Sequence, residues 1–276
     1  MVKLIMPPSY LRKFFNNAMP LKEQTACSIR FTPVNAQINF TFHSDEIAIL
    51  AKYPQPYFWD YESDNDECFF INHWFLKILS HPRAFKHDEI VSFWTDSDSQ
   101  HAYIVGEKRG EKFESLLIPA HAEEVQFCKQ PIMQEEGLMP TLKGGEVLAF
   151  NVHARLTVEK LIKALPMDDG KNDKAGLSWD GKTLELTKTG AGSGIWQTTL
   201  QPASFSVQGE PIGVCFDGKI LRFLAKQFVG EVWLGIAKNA VVISQDAHMH
   251  RVHHYDVEDD FSLTYVLLAE PVDDEL

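Results

Sequence analysis

Four short stretches of this chain carry cationic and polar side chains on one helical face and apolar side chains on the other. At 100° per residue, residues 216–228 place Lys219, Arg222 and Lys226 on one narrow stripe. Ile220, Leu221, Leu224 and Phe228 fall on the opposite side, Asp217 stands at the N-cap, and Gly230 follows the last periodic residue. Residues 9–19 set Arg12, Lys13, Asn16 and Asn17 against Leu11, Phe14, Phe15 and Ala18. Residues 72–81 set His73, Lys77, Ser80 and His81 against Phe75, Leu76 and Leu79. Residues 155–165 set Arg155, Lys160 and Lys163 against Val158, Leu161, Ile162 and Leu165. The starts are regularly spaced: 63 residues from 9 to 72, 61 from 155 to 216, and 83 across the middle interval. Two similar halves joined by about twenty extra residues form the pattern of an internal repeat.

Basic residues on one helix's polar face are ordinarily just solvated. Four such faces at matching positions, in a chain of net charge −12, call for a local role, because a field depends on where charges sit. The flanks of every stretch read as strands. In the first half these are residues 3–6, 26–32, 37–43, 47–53, 68–71, 89–95, 101–105 and 112–118. Residues 53–66 read as a loop with an edge segment. In the second half the strands are 146–153, 176–179, 183–187, 195–200, 211–216, 231–237, 240–244 and 262–269, with Asp180-Gly181 a strong hairpin signal. The tail from Glu270 is acidic and expected to be mobile. Each unit therefore reads as strand, helix, then antiparallel strands. The predicted class is α+β, with two similar domains, 1–118 and 146–276. Residues 119–145, rich in Pro and Gly, serve as a connector. Apolar residues within it (Val125, Phe127, Ile132, Met133, Leu138) suggest a strap laid on a surface.

Other features narrow the function. With 276 residues, 45% of them hydrophobic, a sizeable core is within reach. The four cysteines are far apart and lack CxxC spacing, so reduced intracellular thiols are the plain reading. The opening residues are too short and Pro-broken for a secretory leader, and no apolar run approaches the ~20 residues of a membrane span. An intracellular protein is expected. His248 and His250 could share a strand face as metal ligands, yet no third ligand is placed, so no metal and no cofactor are expected. Residues 190–194 are Gly-rich without a following Lys-Ser/Thr and read as a turn. Asp64, Asp66 and Glu67, or Asp96 and Asp98, read as turn acids sooner than as a hydrolytic metal site. No HExxH, Walker A or G-x-S-x-G sequence occurs, and no enzyme is predicted.

Two segments carry a family resemblance. Residues 69–79 together with 88–96 resemble the second helix and following strand of the DNA sliding clamps, of the proliferating cell nuclear antigen type, including a Lys-Ile-Leu core. Residues 216–228, the hairpin through 241–244 and the terminal 265–269 resemble that family's closing unit. The chain departs from the pattern in its long 53–66 segment and in reading Ala-Glu-Pro where the family has Ala-Pro. The resemblance implies a DNA-clamp fold whose helices line a concave face, and a ring of three two-domain chains paired through edge strands. It also implies a non-enzymatic processivity factor for DNA replication. Arg12, Lys13, Lys77, Arg155, Lys160, Lys163, Lys219, Arg222 and Lys226 would then face the phosphates of double-stranded DNA without reading bases. DNA polymerase and other clamp-binding peptides would enter an apolar pocket edged by Val125, Phe127, Ile132, Met133, Tyr265, Val266, Leu267 and Leu268. An ATP-dependent clamp loader is the further implied partner. The alternatives are a metal-dependent hydrolase on an α+β scaffold, and a clamp-like subunit of a hetero-oligomer.

Overall fold

The computed structural model describes residues 1–21, 26–42, 47–81, 84–85, 87–96, 100–108, 112–116, 118–119, 139–140, 147–165, 174–189, 195–246 and 261–272. They fall into two compact units. One is drawn from Met1–Phe40, Leu50–Phe127 and Asp246–Leu263, the other from Thr41–Ile49, Cys128–Gln245 and Thr264–Leu276.

In the first unit, β1 (Val2–Met6) enters α1 (Pro8–Ala18), with Pro8 at the first helical position, where its missing N–H costs nothing. Then come β2 (Ala26–Phe31), β3 (Asn35–Phe42), β4 (Ile47–Pro54), β5 (Asp60–Ser63), β6 (Glu67–Asn72) and α2 (Trp74–Ser80). β7 (Val91–Asp96), β8 (His101–Gly106), β9 (Lys112–Leu116) and β10 (Ile118–Pro119) complete it. The strands lie in the orders β5-β1-β7-β8-β9 and β10-β6-β2-β3-β4. Alternation sets the faces: Val91, Phe93 and Thr95 are buried while Ser92, Trp94 and Asp96 are half-buried. Phe15 of α1 stacks on Phe75 of α2 at 5.8 Å and meets Phe93 of β7 edge-on at 5.4 Å, so both helices share one apolar seat.

The second unit contains β11 (Met139–Pro140), β12 (Val147–Leu148), β13 (Phe150–Thr157), α3 (Val158–Ala164), β14 (Lys174–Trp179), β15 (Leu184–Thr189) and β16 (Ile195–Leu200). β17 (Ser204–Gln208), β18 (Ile212–Asp217), α4 (Gly218–Ala225), β19 (Glu231–Ala237), β20 (Ala240–Asp246), β21 (Ser262–Leu268) and β22 (Glu270–Pro271) follow. The first residues of β4 belong here and begin the order β4-β21-β20-β19-β13-β17; a second order is β16-β15-β14-β18-β22, and β11 pairs with β12. Val152, Leu161, Leu177, Leu186, Val214, Leu221, Leu224, Val232 and Leu234 are fully buried and form this unit's core. The Asp180-Gly181 hairpin joins β14 to β15 as predicted. Asp180 Oδ1 accepts from Lys182 N (2.7 Å) and Thr183 N (2.6 Å), and Gly181 takes a positive φ of 93°.

The two units repeat one plan. β5-β1-β7-β8-β9 in the first corresponds to β17-β13-β19-β20-β21 in the second, and β6-β2-β3-β4 corresponds to β18-β14-β15-β16. A helix follows β1 and β6 in one, β13 and β18 in the other.

Three expectations are corrected. The third helix starts at Val158, not at residue 155, because β13 keeps pairing with β19 up to Thr157 opposite Glu231. β17 was not anticipated: Phe205 and Val207 alternate with Ser204, Ser206 and Gln208 too sparsely to mark a strand. The tail is not wholly loose at its start, since Glu270 and Pro271 pair with Cys215 and Val214 of β18.

Candidate nucleic-acid interface

The helices are positioned from inside. Leu11, Phe14, Phe15 and Ala18 of α1 are buried, as are Phe75, Leu76 and Leu79 of α2, Val158, Leu161 and Ala164 of α3, and Leu221, Leu224 and Ala225 of α4. Burying those faces turns the cationic ones outward. Arg12, Lys77, Lys160, Lys163, Lys219 and Lys226 are exposed. Lys13 is half-buried, and that burial lowers its amine's pKa below the ordinary lysine range.

The N-terminal cap of α4 is as the residues suggest: Asp217 Oδ1 accepts from Lys219 N (2.9 Å) and Ile220 N (3.0 Å). The other end is not, because α4 stops at Ala225 with Lys226 as its C-cap, and Gly230, with a φ of 83°, lies beyond it. Replacing Asp217 by alanine is expected to cost about 1 kcal/mol, read as a lowered denaturation midpoint with an unchanged m-value.

Four predicted polar residues are placed differently from the simple stripe. Arg155 sits on β13 and pairs with Glu231 of β19, so it belongs to a strand and already has a carboxylate partner. Arg222 is half-buried, and its Nη1 donates to the carbonyl of Leu165 at 2.6 Å. Lys163 pairs with Glu159 at 2.6 Å one turn away, an exposed pair of little stabilising worth. Asn17 is buried, not on the polar arc, and its Nδ2 donates to Tyr53 Oη at 2.9 Å.

The pocket residues divide in the same manner. Val125, Phe127, Ile132 and Met133 lie outside the described residues. On β21, Tyr265 and Leu267 point into the core, with Tyr265 edge-on to Phe228 at 5.4 Å. Alternation leaves Val266 half-buried and Leu268 48% exposed, so those two alone of the four β21 residues offer accessible surface.

Two features went unpredicted. On β13, His153 lies between the rings of Phe150 (4.8 Å) and Trp233 (4.6 Å), and its Nδ1 is 2.5 Å from Ser206 Oγ. His153 is buried, which pushes its pKa down to about 4, and its Nε2 has no partner among the described residues. Gly235 makes room for this stack, because a Cβ there would come within 2.5 Å of the Phe150 ring. The second feature is β16, Ile195-Trp-Gln-Thr-Thr-Leu200, which ends its strand order without one charge and leaves Ile195 74% and Trp196 44% exposed.

The metal reading gains nothing here. Among the described residues no three His, Cys, Asp or Glu converge on one point. Asp66, one of the acids considered, is paired with Arg30, which holds its carboxyl below the usual range. His248, His250, Asp98 and residues 190–194 lie outside the described residues. Also among the described residues, no helix is long and apolar enough to cross a membrane.

A doubled strand-helix plan, with each helix turning cations outward, defines the fold class. The chain has the fold of the DNA sliding clamps. It is similar over its whole length to solved structures of proliferating cell nuclear antigen (PCNA). The complex of the C-terminal region of FEN-1 with A. fulgidus PCNA matches at a TM-score of 0.71 and 13% identity, covering 100% of both chains. PCNA from Thermococcus kodakaraensis matches at 0.69 and 12%, covering 99% of this chain and 100% of that one. A PCNA2–PCNA3 complex from Sulfolobus tokodaii matches at 0.68 and 12%, covering 96% and 98%. No protein-family model and no curated protein sequence matches this chain.

Proposed function

We propose that this protein is a DNA sliding clamp, a processivity factor that encircles duplex DNA and tethers DNA polymerase and other replication and repair proteins without catalysing a reaction. The observation that carries the proposal is the clamp fold joined to cation-bearing helix faces in a chain of net charge −12. Such faces attract phosphates without sequence preference, at affinities of ~10⁻⁴–10⁻⁶ M, weak enough to slide while topology prevents escape.

The domain boundaries of the proposal are 1–118 and 146–276, with 119–145 as connector. Assembly is a homotrimeric ring, and two sheet edges support it. Among the described residues β9 and β16 each end a strand order. Pairing β16 of one copy with β9 of the next would remove both edges.

Partner peptides would lie along Val266 and Leu268 beside the strap residues Val125, Phe127, Ile132 and Met133. The FEN-1 region bound to A. fulgidus PCNA supports a peptide-binding role. An ATP-driven loader would open the ring, and the setting is intracellular, with the DNA.

The deciding experiment is retention on DNA. After loading, the protein should stay with a closed circular plasmid in high salt and be lost when one restriction cut linearises it. Equal loss from circle and line would overturn the encircling mode.

A further inference from the structure

The internal repeat permits a residue-by-residue comparison of α2 and α4. Asn72 ends β6 and its Oδ1 accepts from Trp74 N at 2.9 Å; Asp217 ends β18 and its Oδ1 accepts from Lys219 N at 2.9 Å. These matched side-chain-to-backbone bonds, each to the amide two residues on, fix the register, and the buried Leu76 and Leu79 then correspond to Leu221 and Leu224. Lys77 of α2 consequently stands where Arg222 stands on α4.

The two cations have diverged in what they touch. Lys77 is exposed and its side chain forms no hydrogen bond or ion pair among the described residues. Arg222 is half-buried and its guanidinium donates to the Leu165 carbonyl at 2.6 Å. Leu165 closes α3: its N–H bonds back to Leu161 O at 2.9 Å, so its carbonyl lies at the negative, unsatisfied end of that helix. A planar guanidinium suits this task because its donors are fixed in a fork that a flexible ammonium lacks.

We infer that Arg222 is a positioning residue that fastens the end of α3 to α4, while Lys77, its counterpart in the other repeat, is a phosphate contact. Arg222 thereby fixes the spacing between the α3 lysines, Lys160 and Lys163, and the α4 lysines, Lys219 and Lys226. The inference rests on the DNA-binding reading for its functional half and on the Arg222–Leu165 bond for its structural half.

Binding of a fluorescent duplex oligonucleotide, titrated over a range of salt, separates the roles. Lys77→Gln should reduce the slope of log K against log salt by about 0.9 for each phosphate contact removed. Arg222→Gln should weaken binding about three- to tenfold at every salt concentration, the size of one lost hydrogen bond, with the slope unchanged. Arg222→Lys keeps the charge but loses the fork, and should resemble Arg222→Gln. A slope that falls in Arg222→Gln as it does in Lys77→Gln, or wild-type binding by Arg222→Lys, would overturn the assignment.

Hydrogen exchange keeps the structural half testable by itself. Amides in the last turn of α3 should exchange faster in both Arg222 variants than in the wild type or Lys77→Gln. If the wild type fails to bind duplex, the DNA-binding reading falls while exchange still decides the fastening role. Unchanged exchange sinks that role.

Discussion

If the proposed homotrimer forms, Trp196→Glu is expected to leave a folded protein whose mass by light scattering falls from three times 31.4 kDa to 31.4 kDa. The reasoning starts from β16, which ends its strand order among the described residues and carries no charged residue. Natural edges are commonly blunted by charge, and β5, at the end of the first unit's order, follows that practice. Its Asp60 and Glu62 are exposed and paired with Lys3 at 3.8 and 3.2 Å. β16 instead presents Ile195 and Trp196. A tryptophan buried at the centre of an interface is often worth ~2 kcal/mol or more, so replacing it by a carboxylate should raise the dissociation constant at least about thirtyfold at every junction. Trp196→Phe, which retains an aromatic ring, should keep the assembled mass. A trimer that survives Trp196→Glu at low micromolar concentration would show that β16 is not the seam.

The second large effect is acid sensitivity centred on His153. Its folded pKa of about 4 lies below the ordinary 6.5 because the imidazole is buried between Phe150 and Trp233. Above pH 6.5 the ring is neutral folded or unfolded, and the fold keeps its full stability. Between 6.5 and 4 the unfolded chain takes up a proton that the folded chain refuses, so stability falls as pH falls; below 4 this group adds no further loss. The whole window is worth about 3 kcal/mol. Urea denaturation at pH 7.5, 6 and 5 should therefore show a steeper decline for the wild type than for His153→Phe, which retains a stacking ring with nothing to protonate. His153→Phe should be the more stable of the two at pH 5. Parallel declines would mean that His153 titrates normally in the folded chain.

Where the chain announces its structure, local chemistry and tertiary environment agree. Asp217 marks the start of α4 because capping there needs only a side-chain oxygen nearby, whereas Gly230 stands beyond the helix end at Ala225. Asp180-Gly181 reads as a hairpin for the same reason. The apolar faces of all four helices were legible from spacing, since the 3.6-residue period sorts buried from exposed positions before any neighbour is known.

The less legible parts depend on what lies across from a residue. Helical periodicity claims Arg155, yet pairing of β13 with β19 runs two residues past it and places it opposite Trp233, beside Glu231. Asn17 looked polar and outward until Tyr53, 36 residues away in sequence, supplied its hydrogen bond. Tyr265 and Leu267 are a different kind of miss. Their alternation with Val266 and Leu268 is visible in the sequence, and a strict two-residue period would have sent them into the core. β17 was illegible because a terminal strand buries little, and its two half-buried apolar residues give too faint a rhythm.

The contrast between the acid-guarded β5 and the bare β16 bears on how the cell must handle newly made chains. In the proposed homotrimer, a subunit not yet assembled would offer a sticky, template-like border to any extended polypeptide it meets, its own siblings in the wrong register included. Synthesis in bursts, or expression far from where rings close, would favour clumping over assembly. Supply kept in step with the proposed ring's formation would be the safer regime for such a protein.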